Sequence, residues 1–134
     1  MKSAFLLSTL LIAFASNSVA KDKCLRYDEE IRGLRGTLQI RVYFGPPNYG
    51  ENPNTDSREA QAVLFLDKTI CTVKDDGSDN TDQVNQFEIT LIPSQTVQLS
   101  SLAGKKVIVS GKLFGAHTGH HHTPLLLSLS SITQ

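Results

Sequence analysis

The chain of 134 residues is electrically balanced: 13 Lys and Arg stand against 13 Asp and Glu, so the formal net charge is zero at pH 7. This balance gives no reason to expect a clustered basic face, which argues against nucleic acid or an anionic membrane surface as a partner. The length suits one ordinary domain with a core of its own.

Residues 1–20 have the order of a cleavable secretory signal peptide. A lysine at the second position is followed by an apolar run over residues 4–15, and Ser18-Val19-Ala20 offers small side chains for cleavage after Ala20. The apolar run is too short to span a membrane, which needs about 20 residues, and no lipid-anchor motif is present. We therefore expect residues 21–134 to be a soluble exported domain with no stable membrane anchor.

The mature chain contains two cysteines, Cys24 and Cys71. An even pair in an exported protein predicts a disulfide, which would stabilise the fold by about 4 kcal/mol in the chain-entropy model. The alternative is a pair of thiolate ligands that bind a metal together with the histidines, although the wide spacing and the oxidising compartment favour the disulfide.

Apolar residues alternate with polar ones at a period of two, which predicts strands. Five are expected, at residues 34–44, 60–66, 84–91, 107–114 and 125–132, and the second of them runs on towards Cys71. Between the third and fourth, residues 94–104 have a capping serine, spaced apolar residues and a final glycine, as a short helix does. This order predicts an all-β fold: a small five-stranded OB-like Greek-key barrel with one short helix between strands 3 and 4.

Three motifs carry a resemblance to a known family. They are Cys24-Leu25-Arg26-Tyr27, Gly45-Pro46-Pro47-Asn48-Tyr49 and, most distinctive, Thr118-Gly119-His120-His121-His122-Thr123-Pro124. Together they resemble an uncharacterised family of small exported bacterial domains. The resemblance implies a periplasmic protein of a cell with two membranes, and it implies no particular activity.

All four histidines, His117, His120, His121 and His122, lie within six residues between the last two predicted strands. They are candidate binding residues, and His117, His120 and His122 are also candidate ligands for Zn, Cu or Ni. Consecutive residues of an extended chain point to opposite sides, so a single ion would require a sharp bend. Further interpretations are hydrogen bonds that fix the turn, and a pH sensor.

Two other loops are candidates for function. Residues 45–58 form a long connection rich in Pro and Asn, where Tyr49, together with Tyr43, could stack on a sugar, a base or a peptide, or else pack on the edge of the barrel. Residues 74–82 are acidic, but they lack the ligand spacing of an EF-hand and are expected to form a solvated turn.

No catalytic signature is present in the sequence: there is no G-x-S-x-G, no H-E-x-x-H and no phosphate-binding glycine loop. Glu59 and Glu88 are possible acids or bases without an evident partner. We therefore expect a non-enzymatic periplasmic binding protein without a cofactor, whose partner in the cell envelope is a protein, as for an inhibitor or immunity-type domain. The alternative is a transition-metal binding protein that uses residues 117–122.

Overall fold

The computed structural model describes residues 23–94 and 98–134. The expected signal peptide, residues 1–20 with cleavage after Ala20, lies outside the described residues. The described chain is all-β, which confirms the predicted class. Its six strands are β1 (Leu25–Arg26), β2 (Glu30–Phe44), β3 (Arg58–Val73), β4 (Gln83–Ile92), β5 (Lys106–Gly115) and β6 (Leu125–Thr133).

The sheet has one strand more than the expected five, and the additional strand is β1. Its two residues pair in parallel with the end of β3, with Leu25 beside Thr72. The Cys24–Cys71 disulfide lies next to this pairing and confirms the predicted bond. A two-residue strand is too short to give a period-two pattern, so only its tertiary position shows it.

In place of the expected helix over residues 94–104, the described part of this segment contains a single 3-10 turn, Leu99–Leu102. Residues 95–97 are not among the described ones. No side chain caps the start of the turn, and Gly104 ends it with a φ of 80°. The Gly104 N–H then donates to the Leu38 carbonyl at 2.7 Å, which directs the chain into β5.

The strands pair in the order β1-β3-β2-β5-β6-β4, and a further pairing of β3 with β4 joins strands β2 to β6 into a ring. Within the ring, β4 and β6 run parallel and the other pairs are antiparallel. The connections β2–β3 and β5–β6 are loops of residues 45–57 and residues 116–124, and they carry two of the three sequence motifs.

Two glycines allow β2 to serve as a long shared strand. Gly33 has a φ of 73° and lies where the pairing with β5 shifts register between Ile31 and Leu34. At Gly36, a Cβ atom would lie 2.2 Å from the Phe65 carbonyl oxygen. A side chain there would separate β2 from β3, so the close approach of the two strands requires glycine.

The buried apolar residues lie on both sides of the strands. The main core is inside the ring and is formed by Tyr27, Ile31, Leu38, Ala62, Leu64, Ile89, Leu91, Leu99, Val107, Val109, Leu113, Leu125, Leu127 and Leu129. Val63 and Leu126 are also fully buried, yet each alternates with core residues and so faces outward. Thr90, which pairs with both residues, forms hydrogen bonds with Thr123 of the loop of residues 116–124.

Candidate interaction surface

The loop of residues 45–57 is organised by the carboxylate of Asp56, which is buried to 8 % exposure. It accepts hydrogen bonds from the backbone N–H groups of Asn48 at 2.9 Å, Gly50 at 2.8 Å and Asn52 at 3.1 Å. Burial acts to raise the pKa of Asp56, but these donors outweigh it and hold the pKa below its ordinary value. The charged carboxylate therefore fixes the loop conformation.

Tyr49 is displayed by this fixed loop. Its φ is 52°, its N–H donates to the Gly45 carbonyl at 3.0 Å, and its side chain is 45 % exposed. The phenol reaches the second loop: a Cβ at Gly119 would lie 2.7 Å from Tyr49 Oη. The Tyr49 ring also meets the His120 ring edge-on, with centroids 6.3 Å apart. The two loops therefore form one continuous surface.

Glu59, at the start of β3, joins the histidine loop to the sheet. One carboxylate oxygen contacts His120 Nδ1, and the other lies 2.8 Å from His122 Nε2. The hydrogen bond with His122, followed by the one with His120, lowers the pKa of Glu59 against the opposing effect of partial burial. The glutamate is thus an anion at neutral pH that holds two imidazoles in place.

Tyr43 lies opposite Glu59 in the β2–β3 pairing and stacks on His122. The ring centroids are 4.4 Å apart and the planes differ by 5°. Burial raises the pKa of Tyr43, the nearby Glu88 adds to the rise, and Arg41 opposes it. The side chain of His122 is only 14 % exposed. The stack therefore packs the base of the histidine loop closely against the sheet.

His117 and His121 form a separate pair at the other side of the loop. The His117 backbone N–H donates to His121 Nδ1 at 3.1 Å, so this nitrogen carries no proton. His117 Nδ1 lies 3.0 Å from the Gly115 carbonyl oxygen. Because a carbonyl oxygen only accepts, His117 Nδ1 carries the proton of this hydrogen bond. Burial, and then the neighbouring histidines, lower the pKa of His121. The pair therefore favours a neutral His121.

Hydrogen bonds of Thr123 and Gln61 also attach the histidine loop to the sheet. Thr123 is buried; its hydroxyl donates to the Leu125 carbonyl at 2.6 Å and lies 2.8 Å from the Thr90 hydroxyl. Gln61 Nε2 donates to the His120 carbonyl at 2.6 Å. The Oε1 atom of Gln61 is buried without a hydrogen-bond partner among the described residues.

The predicted binding residues Tyr49, His120 and His122 are thus brought to one surface, with His117 and His121 beside it. The candidate metal set of His117, His120 and His122 is divided between two pairs instead of meeting at one point. Within residues 23–94 and 98–134, no group of three or more His, Cys, Asp or Glu side chains is arranged to hold a metal ion.

Sequence reasoning did not assign Glu59, Gln61 and Tyr43 to the histidine loop. Glu59 stood out only as a possible acid or base, and Tyr43 only as a stacking residue. Their role depends on the register that places Tyr43 opposite Glu59 and on the loop that packs over both. The period-two pattern of β3 could have linked Glu59 with Gln61, because it puts both residues on the same side of the strand.

The acidic segment of residues 74–82 forms the connection between β3 and β4. Asp82 accepts a hydrogen bond from the Lys74 N–H at 2.8 Å, and Asp75 pairs with Arg26. Two of the four carboxylates of this segment, those of Asp75 and Asp82, therefore have partners within or next to the turn.

Comparison with known protein families gives a match over part of the chain. Residues 86–133, which include β5, β6 and the histidine loop, match the family described as Domain of unknown function (DUF4431). No curated protein and no solved structure is similar enough to the chain to count as a match. Among the described residues, none forms a helix that is long and apolar enough to cross a membrane.

Proposed function

We propose that the mature chain is a non-enzymatic binding protein of the bacterial cell envelope, exported by the signal peptide at residues 1–20, and that its partner is another protein. An inhibitor or immunity-type role fits such a domain. The observation that carries the proposal is the contact between the two loops: Tyr49 meets Gly119 and His120.

We propose that the fold that supports this binding function is an OB-type barrel. In the ring, β2, β3 and β4 follow one another, and β6 and β5 complete the circuit back to β2. This is the circuit expected of a five-stranded Greek-key barrel to which β1 is an addition. OB barrels bind ligands with the loops between strands 1 and 2 and between strands 4 and 5. Those loops correspond here to residues 45–57 and 116–124.

The surface is suited to a protein partner because it is aromatic and already ordered. Tyrosine offers a large contact area with few rotatable bonds, and a fixed loop loses little conformational entropy on binding. Asp56 fixes the first loop through four hydrogen bonds, and Glu59 fixes the second through two histidines. Tyr49 remains 45 % exposed at the junction and is the expected anchor.

The test is a pull-down from the periplasmic extract of the source bacterium with the mature protein and two variants. Tyr49→Ala removes the anchor, and Val84→Ala removes an exposed apolar side chain beside the disulfide, which belongs to neither loop. We expect a stoichiometric protein that the wild type and Val84→Ala retain and Tyr49→Ala loses. A partner retained equally by all three would contradict the assignment of this surface.

Location is tested separately. Cell fractionation should place the protein in the periplasm, and N-terminal sequencing of the purified form should begin at Lys21. A chain that retains residues 1–20 would contradict the export proposal.

The metal-binding alternative rests on a single contact: the Glu59 carboxylate touches the imidazoles of both His120 and His122. Binding of an ion would require these three groups to rearrange around it. Zn or Cu should then raise the melting temperature of the mature protein, and the double variant His120→Ala, His122→Ala should abolish the rise. An unchanged melting temperature would dispose of this alternative.

A further inference from the structure

We propose that one edge of β2, along residues 40–44, receives an extended segment of the protein partner, which adds to the sheet as a strand. We call this the open edge. The inference rests on the proposed binding function and specifies the chemistry of the partner: an extended stretch with alternating apolar side chains and one acidic residue.

The open edge begins where β2 loses one of its two neighbours. β3 accompanies β2 from Gly36 to Phe44, whereas pairing with β5 ends at Thr37. Leu38 still has partners on that side, since its N–H donates to the Lys105 carbonyl at 3.0 Å and its carbonyl accepts from Gly104. Beyond Leu38, no strand formed by the described residues pairs with this side of β2.

The direction of the backbone groups follows from Leu38. Peptide groups of an antiparallel strand alternate between its two sides, so residues two apart direct their N–H and C=O the same way. Because those of Leu38 point away from β3, those of Ile40, Val42 and Phe44 do so as well. At about 3.4 Å per residue, the open edge offers a template of roughly 17 Å for another strand.

The inner side of the open edge is apolar at Ile40 and Val42 and has room for a side chain there, while at its end the Arg58 guanidinium lies over the Phe44 ring at 3.6 Å. Ile40 is 38 % exposed and Val42 is 64 % exposed. Beside Ile40 lies a cleft of about 380 Å³, whose lining also includes Ala62, Leu91, Pro93 and Leu99. A strand added next to β2 would direct alternate side chains to this side, so one large apolar residue can enter the cleft as an anchor.

The outer side of the open edge carries one cation, Arg41, while the carboxylates of Glu59 and Glu88 lie near Tyr43 at the other end of this edge. Arg41 is exposed there, and its guanidinium lies 5.3 Å from the centre of the Phe65 ring. An acidic residue of the added strand would meet this cation. A second copy of the chain is disfavoured, because antiparallel pairing about Val42 would place the two Arg41 side chains diagonally, about 7–8 Å apart. The charge thus favours a different, acidic partner segment.

The open edge is continuous with the loop surface. Tyr43 belongs to the edge strand, and its ring stacks on His122 of the histidine loop. A partner that contacts Tyr49 and the histidine loop can therefore extend a segment along β2 without a gap. Backbone pairing would supply affinity, while the cleft and Arg41 would supply selectivity.

The test uses linear peptides selected from a random-sequence phage library on the mature wild-type protein. We expect peptides with alternating apolar residues and one Asp or Glu, and in NMR titrations we expect the largest amide shifts at Ile40, Val42 and Phe44. Val42→Pro removes one donor of the open edge without removing a bond to β3, and should weaken binding about tenfold or more. Val42→Ala keeps the donor and should retain more affinity, and Arg41→Glu should weaken binding of acidic peptides.

Each contrary outcome has a distinct meaning. The absence of enriched peptides, or equal binding by Val42→Pro, would overturn the proposal; the wild-type shift map stands as evidence even if the proline variant unfolds. A wild-type dimer in light scattering that Val42→Pro abolishes would show that a second copy occupies the edge. If the periplasmic partner is lost with Tyr49→Ala but retained with Val42→Pro, the proposed function stands and the open edge does not.

Discussion

The imidazole of His122 lies parallel to the phenol of Tyr43, with ring centroids 4.4 Å apart and a 5° angle between the planes. The stack joins the edge strand of the sheet to the loop that carries the family-like histidine motif. Glu59 contacts the same imidazole from the neighbouring strand. The His122 ring is therefore held by Tyr43, which packs on its face, and by Glu59, which forms a hydrogen bond at its edge.

The stack should contribute measurably to stability. Tyr43→Phe keeps the ring, whereas Tyr43→Leu keeps an apolar side chain but loses the stacking geometry. We expect Tyr43→Leu to lower the free energy of unfolding by about 1 kcal/mol relative to Tyr43→Phe, as measured by urea denaturation. Equal stability of the two variants would show that the stack contributes only apolar area.

Replacement of Glu59 by glutamine should release the histidine loop. The amide cannot act as an anion toward both His120 and His122, so residues 116–124 should exchange their amide protons faster, as seen by NMR. Glu88→Gln is the matched control, because Glu88 has no hydrogen bond to a histidine in the described structure. Equal exchange in the two variants would argue against the role of Glu59.

The lowered pKa of Glu59 gives this effect a pH dependence. A carboxylate with a lowered folded-state pKa contributes stability above its unfolded value, near 4.5, and the contribution disappears as the pH falls through the folded value. Urea denaturation of the wild type and Glu59→Gln should therefore give stabilities that differ at neutral pH and converge in acid.

Asp56→Asn should disorder the loop of residues 45–57. The asparagine has one acceptor oxygen instead of two and directs an amide group at backbone donors, so some N–H groups of the loop lose their partner. We expect faster proteolysis within the loop and weaker partner binding through Tyr49. Asp76→Asn makes the same charge change at an exposed turn, and it should leave both properties unaltered.

Acidification should weaken the fold through His121. Its pKa is lowered from 6.5, chiefly by burial, so the unfolded chain binds the proton more readily than the folded chain. The free energy of unfolding should therefore fall as the pH drops from above about 6.5 toward the folded-state pKa. His121→Asn, whose side-chain oxygen can accept the His117 N–H, should flatten this dependence between about pH 8 and pH 5. An unchanged slope would contradict the prediction.

Tyr27 should be important for the stability of the fold. It is 2 % exposed, its hydroxyl donates to the Thr81 carbonyl at 2.6 Å, and it accepts from the Thr72 hydroxyl at 2.9 Å. Tyr27→Phe leaves both partners unsatisfied and should cost about 1–3 kcal/mol in urea denaturation. Tyr43→Phe, which removes a hydroxyl without a hydrogen bond in the described structure, is the control.

The motif Cys24-Leu25-Arg26-Tyr27 is explained by this arrangement. Cys24 bonds to Cys71, and three residues later Tyr27 binds Thr72, the neighbour of Cys71. The motif fastens the start of the domain to the end of β3 and has a structural role. The histidine motif differs, because it lies in a loop and two of its side chains, His120 and His122, are held by Glu59 from another part of the chain.

Period-two patterning located β4, β5 and β6 within one residue at each end, whereas β2 begins four residues earlier than predicted and β3 continues past residue 66 to Val73. The pair of cysteines indicated the disulfide. The helix over residues 94–104 was overestimated, since a capping serine and spaced leucines are also compatible with one 3-10 turn. The local pattern does not encode how far a turn continues, because tertiary contacts such as the one between Gly104 and Leu38 decide where it ends.

By itself, the sequence determined the all-β character and the Cys24–Cys71 bond, since alternation along a strand and the count of cysteines are local properties. Only the tertiary structure decided that Tyr43 and Glu59 face each other, that His122 packs on both, and that β2 ends with an open edge. Strand register is set by the packing of segments far apart in the chain, and a shift of one residue would turn Tyr43 and Glu59 away from the histidine loop.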